Sequence, residues 1–440
     1  MKGGVAFLID MRSCGPIRRG LQDCCVYVFD LLWYSVGMRN FLKGRLLPVR
    51  VCLLGAVFLL VGIGVATIYA VDHAAGTSYW KKQVVFAGLA LVCFVAANLV
   101  NYRRLGEVSH WIYAGILVLL VLLLVSRYVV PLPFAPAKHG AHRWIVLHPR
   151  LPQLQPSEFC KLAYLLALAW YLRYRSNYSS FKALLGPFAV TLLPMVLILL
   201  EPDLGTFTLM MPVFFAMLLV AGARIKHLVL ILLLAILVSP VFWFKMQPYQ
   251  RLRISSVFLQ SDWIRARIVE RPALSRILVG RQLSERLWRR DWGYQVIRSK
   301  LAVASGGLTG SGFGQGPFIK YDDFLPERHN DFIFSVIAHQ WGFLGSLGLL
   351  GLYVLLVACG LEIAVHNTDP FARLLAIGII AMFVVEVAVN VGMTLGLMPI
   401  TGLTLPFVSY GGSSLLVNVM ATGLLNNVGR CRPFTVAPRR

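Results

Sequence analysis

Apolar residues in this chain come in long runs separated by short polar or charged connections. A bilayer core takes ~20 helical residues to cross, and runs approaching that length recur at about 51–70, 84–100, 111–130, 157–173, 185–200, 205–222, 227–244, 332–357, 372–395 and 408–428. The pattern predicts an all-α integral membrane protein of about ten transmembrane helices. The basic connections at Arg39 to Arg50, Arg103-Arg104, Arg173 to Lys182, Arg224 to Lys226 and Arg430 to Arg440 fall on one side if both termini are inside. The positive-inside rule therefore predicts cytoplasmic termini. Residues 1–50 read as a basic cytoplasmic N-terminal tail, 51–430 as the transmembrane domain and 431–440 as a cytoplasmic C-terminal tail. Met38 opens a compact basic lead into the first run, so Met1 and Met38 are both candidate starts.

One polar stretch breaks the rhythm. Residues 245–331 form a large extracytoplasmic loop between helices 7 and 8, carrying Arg265, Arg267, Arg271, Arg276, Arg281, Arg286, Arg289 and Arg290. Long loops escape the charge rule, so the topology stands. Interleaved Trp263, Ile264, Ile268, Leu274, Ile277, Leu278, Leu287 and Trp288 predict short basic amphipathic helices lying on the membrane surface.

Composition sharpens the class. Of 440 residues, 58% are hydrophobic and the mean hydropathy is +0.71, well above a soluble domain's usual content. A net charge of +23 would suggest nucleic acid in a soluble protein. Here it points to anionic lipid surfaces and an anionic substrate, with no nucleic-acid partner. The eight cysteines (Cys14, Cys24, Cys25, Cys52, Cys93, Cys160, Cys359 and Cys431) lie in tails or in and beside predicted spans. They offer neither a disulfide framework nor zinc-type spacing.

Candidate chemistry sits where polar residues meet the apolar runs. Glu327 to Asp331 are consecutively polar or charged and end abruptly in Phe332-Ile333-Phe334. Asp331 on that border either caps the following helix or faces a protected cavity, since an ionised group against lipid costs about 2.5 kcal/mol or more. In Gln155-Pro156-Ser157-Glu158-Phe159-Cys160-Lys161 the proline and serine start a helix, and Glu158 and Lys161 share one of its faces. They form either a structural ion pair or an acid–base, diphosphate-contacting pair. Glu201-Pro202-Asp203 makes a tight turn that either binds a divalent metal or simply reverses the chain and caps a helix. The glycine-rich run Ser305 to Gly316, after Lys300, has amides that could cradle a phosphate. It lacks the Gly-Lys-Ser/Thr ending of a nucleotide-binding loop, so no nucleotide cofactor is expected. Glu386 and Asn390, one turn apart within a span, are functional candidates or an interhelical hydrogen bond.

Several of these blocks together resemble the SEDS family of bacterial cell-wall proteins (shape, elongation, division and sporulation). They are Arg143-Trp144-Ile145, Gln155-Pro156-Ser157-Glu158 with Lys161, Glu201-Pro202-Asp203-Leu204-Gly205, Gly293-Tyr294-Gln295, Ser299-Lys300 and Ser305-Gly306-Gly307-Leu308. The series continues through Phe324 to Phe334, Asn390-Val391-Gly392-Met393 and Leu405 to Ser414, and Pro-Glu-Arg-His at 326–329 tilts the match towards the RodA branch.

The resemblance implies a ten-span peptidoglycan glycosyltransferase of the bacterial cytoplasmic membrane that polymerises lipid II during elongation. It would work beside a class B penicillin-binding protein, a transpeptidase, and other elongation-complex membrane proteins. It implies Asp331 as the essential carboxylate, with Glu158 and Lys161 in the same outward-facing cavity. Arg143, Trp144, Lys300, Arg328 and His329 are further expected substrate-binding residues. A divalent cation, magnesium or manganese, is compatible with the chemistry, with Asp331, Glu158 and Asp203 as its candidate ligands. Asn330 stands where the family usually has Thr, His339-Gln340 where acidic residues are usual, and the Arg-rich insertion around 262–290 is atypical. Two rival classes remain, a flippase for lipid-linked precursors and a non-catalytic scaffold for the penicillin-binding partner. A transporter is disfavoured here because the sequence shows neither repeated spans nor paired broken helices.

Overall fold

The computed structural model describes residues 46–130, 132–136, 143–146, 153–174, 181–290, 292–321 and 324–430. Residues 1–45 and 431–440, with both candidate starts and the C-terminal tail, lie outside them. The chain forms α1 (Leu46–Ala75), α2 (Tyr79–Leu99), α3 (Tyr102–Glu107), α4 (Ser109–Tyr128), α5 (Pro156–Leu172), α6 (Phe181–Leu200), α7 (Leu204–Val220) and α8 (Ile225–Lys245). Six smaller helices follow: α9 (Pro248–Ser255), α10 (Asp262–Glu270), α11 (Pro272–Val279), α12 (Glu285–Arg290), α13 (Trp292–Ser305) and α14 (Pro317–Lys320). Then come α15 (Ile333–Val365), α16 (Pro370–Thr394) and α17 (Gly412–Arg430). The fold is helical, relieved among the described residues by a single isolated bridge between Ile145 and Leu154.

Each predicted span coincides with a helix, but the helices are not alike. Seven (α1, α2, α4, α6, α8, α15 and α16) are long and apolar enough to cross a membrane. The other three fall short in different ways, α5 and α7 by length and α17 by its polar content. α5 and α7 have 17 residues each, and α5 opens with Ser157, Glu158 and Lys161. α17 is buried from Ser413 to Gly429 except at half-buried Met420, and carries Asn418, Asn426 and Asn427. A helix surrounded by protein need not be apolar, and its amides bind its neighbours instead of meeting lipid. Asn426 donates to Asn98 Oδ1 at 2.6 Å, and Asn427 donates to the carbonyls of Ala97 and Val100 at 2.9 and 2.6 Å. Around this polar centre α17 lies along α2, while α16 packs on α5, α7 and α15.

α15 is broken. Gly342 adopts φ 64° inside its 33 residues, a conformation that glycine alone adopts freely. No broken helix was expected here, and the glycine-rich run is what mends it. Ser311 and Gly312 amides donate to the His339 and Gln340 carbonyls at 2.9 and 3.0 Å, and Phe343 and Leu344 amides donate to Gly307 and Leu308 at 2.8 and 3.1 Å. A Cβ on Gly310 would lie 2.1 Å from the Gln340 carbonyl oxygen. The expected phosphate cradle thus acts as a backbone splice, with the Gly310, Ser311 and Gly312 amides bonded to carbonyls within the protein.

The long loop folds into a cap. Leu252, Leu259, Ile268, Val279, Leu283 and Trp288 make its core, with Ile264, Val269 and Leu278 against it. Arg265 is buried there, donating to Glu285 Oε2 at 2.9 Å and to the Leu259 carbonyl at 2.8 Å, and pairing with Asp262. Much of the apolar content expected to lie on the membrane thus faces inward. Trp263, Leu274 and Ile277 remain exposed.

Candidate active site

Between the cap and the bundle lies a cavity of about 750 Å³. Its walls come from the starts of α2, α5, α7 and α17, Arg143-Trp144 just before the Ile145 bridge, Arg253 of α9, the segment ending in Asp331, and Thr401 to Thr404. Most of these helices begin at the cavity, so several N-terminal ends, with their partial positive charge, converge on it.

Asp331 is held by its backbone. Arg328, buried, donates from Nη1 to the carbonyls of Ile319 and Tyr321 at 2.9 and 3.2 Å, which fixes the chain three residues upstream. Glu327 takes φ 52°, a left-handed conformation costly for a side-chain-bearing residue. The Asn330 carbonyl accepts from Ser409 Oγ at 2.7 Å, and the Asp331 carbonyl accepts from Asn390 Nδ2 at 3.0 Å. Asn390 also donates to the Leu403 carbonyl at 2.7 Å, tying both cavity walls to α16. Phe332 behind them is buried in an apolar cluster. The Asp331 side chain is different. It lines the cavity, caps no helix, and has no hydrogen-bond partner among the described residues. Asp331 is half-buried, but the protein packed around its carboxyl strips it of water, and this desolvation, helped by the neighbouring charge of Glu327 and opposed by Arg253, pushes the carboxyl up to about 7.

Asp203 stands on the opposite terms. Its Oδ2 accepts from Ser157 Oγ at 2.8 Å, Thr206 Oγ at 3.0 Å and Gln155 Nε2 at 3.3 Å, and its Oδ1 caps α7 through the Thr206 amide at 3.3 Å. Burial alone would raise its pKa, but Arg143 and these hydrogen bonds outweigh it and hold the carboxyl below its ordinary value. Burial and the charge of Asp203 push Glu201 next door up to about 9, against the fields of Arg143 and Arg127. The turn thus follows the chain-reversing, helix-capping alternative.

The expected substrate-binding residues separate into two groups. Arg143, Trp144 and Glu158 reach the cavity with Asp331. Arg143 is oriented by the Glu201 carbonyl at 2.9 Å and by that of Pro202. Lys161 lies beneath the cavity floor, buried between Glu158 at 2.7 Å and Glu386 at 2.6 Å. The ion-pair alternative for Glu158 with Lys161 and the interhelical alternative for Glu386 thus meet in one triad, which fixes the cavity-lining carboxylate from below. His329 stacks on Tyr79 at 4.5 Å, Arg328 serves the backbone, and Lys300 reaches Gln260 at 3.3 Å. None of these three lines the cavity.

Lys81, Lys82 and Arg253 line it without having been foreseen. The two lysines had a signal: they sit on the outer side of the predicted topology, against the charge rule. Arg253 had none, because it falls in a loop whose folding back could not be read.

For a metal, the residues offer little. No three of His, Cys, Asp and Glu cluster closely enough among the described residues, and Asp203 is occupied by its donors. Asp331 and Glu158 remain, and one or two carboxylates completed by substrate phosphates is how magnesium is usually held.

A family profile described as "Cell cycle protein", covering FtsW, RodA and SpoVE, matches residues 45–432. The chain is 32% identical to the peptidoglycan glycosyltransferase RodA of Treponema pallidum over 437 residues, covering 86% of this chain and 96% of that protein. The Thermus thermophilus rod shape determining protein RodA, a crystal structure, superposes with TM-score 0.58 at 30% identity, covering 86% of this chain and 95% of that one. A chain from a peptidoglycan synthase complex, described as coordinating polymerization and crosslinking, superposes with TM-score 0.67 at 33% identity, covering 86% and 96%.

Proposed function

The chain belongs to the FtsW, RodA and SpoVE family and is a peptidoglycan glycosyltransferase, and we propose that it polymerises lipid II during cell-wall elongation with Asp331 as the base. The observation that carries this reading is a carboxylate with no hydrogen-bond partner among the described residues, its pKa raised to about 7, in a cavity lined by Lys81, Lys82, Arg143 and Arg253. A base whose pKa lies near the working pH is the efficient one.

In the reaction, Asp331 accepts the proton of the acceptor sugar's 4-hydroxyl as that oxygen attacks C1 of the donor sugar. The bond from C1 to the diphosphate oxygen breaks, and undecaprenyl diphosphate leaves with the electron pair. The four cations stabilise the charge that develops on it, as groups already in place around the cavity. Glu158, steadied by Lys161, faces the same space. A divalent cation held by Asp331 or Glu158 with the substrate's phosphates would add charge neutralisation.

We further propose a bacterial cytoplasmic membrane location with both termini cytoplasmic and the cavity facing outward, where the acceptor glycan is. A class B penicillin-binding protein is the expected partner, supported by the synthase complex to which a similar chain belongs. The break in α15 does not argue for a flippase. Its freed backbone groups are taken up by the glycine loop rather than lining a path.

The test is polymerisation of labelled lipid II by purified wild type and Asp331→Ala, each with and without a class B partner. Polymer from the wild type alone, with the variant folded, is the expected result. Polymer from a folded Asp331→Ala would remove Asp331 from the mechanism. Polymer from neither would turn the reading to flipping or scaffolding.

A further inference from the structure

The cap carries a feature that glycosyl transfer leaves unused. Between 262 and 290 the chain has eight arginines against three acidic residues, and only Arg265 of them is buried in the cap core. α11 buries Ser275 and Val279 against the cap and exposes Leu274 and Ile277, three residues apart on one face, with Arg271 and Arg276 exposed beside them. Exposed apolar residues flanked by arginines are the composition of a helix resting in a membrane interface.

The height of α11 follows from its tether. Trp243, in the last turn of α8, donates its indole N–H to the Ile277 carbonyl at 2.8 Å. Arg251 of α9 reaches back to the Phe244 carbonyl at 2.7 Å. α8 is an apolar span that is exposed along nearly its whole length, so its sides meet lipid and its end marks the membrane boundary. Tryptophan at the end of a span sits at headgroup level. α11 is therefore pinned at that level and cannot stand clear of the bilayer.

We propose that α11 docks on the leaflet at the cavity side, Leu274 and Ile277 entering the boundary between headgroups and acyl chains, and Arg271 and Arg276 binding the phosphates of acidic phospholipids. The planar guanidinium suits bidentate phosphate binding. A protein partner is the less favoured occupant, because the tether holds this face at lipid height. The docking would hold the cap down over the cavity in acidic membranes and loosen it in neutral ones.

Hydrogen exchange of the full chain in lipid nanodiscs tests this without reference to catalysis. In discs containing phosphatidylglycerol, amides of 272–279 should exchange roughly tenfold or more slowly than in phosphatidylcholine discs, since arginines near an acidic lipid surface are attracted to it. High salt should erase the difference, as should Arg271→Gln with Arg276→Gln, while Leu274→Ser with Ile277→Ser should lose protection in both lipids. Equal exchange of the wild type in the two discs would overturn the proposal. So would protection produced by inorganic phosphate in neutral discs, which would mark a phosphate site rather than a membrane contact, or protection that arises only with the penicillin-binding partner.

Discussion

Asp203 and Asp331 face the same cavity, and each lies just ahead of a helix start, yet their surroundings are opposite. Asp203 is filled by Ser157, Thr206 and Gln155 and sits in the field of Arg143. Asp331 has its backbone fastened on both sides and its side chain left open. A buried carboxylate given three donors is stabilised as an anion and becomes a poor base, whereas one left without donors keeps its affinity for a proton. The protein spends its hydrogen bonds on positioning Asp331 rather than on satisfying it. Family blocks contain both residues, and only their partners separate structure from chemistry.

The largest effect that would break this contrast is at Asp331 itself. Removing a general base typically costs roughly 10²–10⁴-fold in rate, and since the carboxylate makes no hydrogen bond among the described residues and is destabilising when ionised, the fold should hold or raise its thermal midpoint at neutral pH. Next comes Lys161→Met, which leaves Glu158 and Glu386 facing each other in the bundle. Breaking a buried ion pair costs about 3–5 kcal/mol, so a clear fall in melting temperature is expected, with part of it recovered by adding Glu386→Leu. If Lys161→Met melted normally but failed to polymerise, Lys161 would belong to the reaction rather than to its support. Asp203→Ala is smaller. It removes an N-cap and strands Ser157, a loss of about 1–2 kcal/mol, visible as lower stability, with residual polymerisation when assayed cold. A variant as inactive as Asp331→Ala but fully stable would make Asp203 a second catalytic group.

Much of this was legible in the sequence, and the parts that were not share a cause. Each apolar run became a helix at its predicted place, because length and hydropathy are local properties. Which helices sit inside the bundle was not legible, since α5 and α17 hide Lys161 and Asn427 in protein contacts made with distant segments. Asp331, Glu158, Arg143 and Trp144 were found through blocks, and the cavity gathers them. Lys300 and Arg328 sit in equally conspicuous stretches but serve Gln260 and a backbone turn. The glycine run misled for the same reason: its amides are donors in any fold, and only the break at Gly342 shows which acceptors they meet. Arg253 was missed because its approach to Asp331 depends on how the cap folds back.

The finest test of the contrast is pH. With its carboxyl raised from 3.8 to about 7, Asp331 is protonated and idle as a base below that pH. The polymerisation rate should therefore fall about tenfold per unit on the acid side, with the midpoint of the limb near 7. The sign for stability is the reverse. A carboxylic acid that binds its proton more tightly folded than unfolded loses stability as pH rises from 3.8 towards 7, so activity should climb while the melting temperature slips. Glu327→Gln removes the like charge that helps raise the carboxyl and should move the limb to lower pH. Arg253→Gln removes the opposing charge and should move it higher. A wild-type limb centred near the ordinary carboxylate range, unmoved by either change, would mean that Asp331 is solvated like any surface aspartate and that its open side chain is not what sets its chemistry.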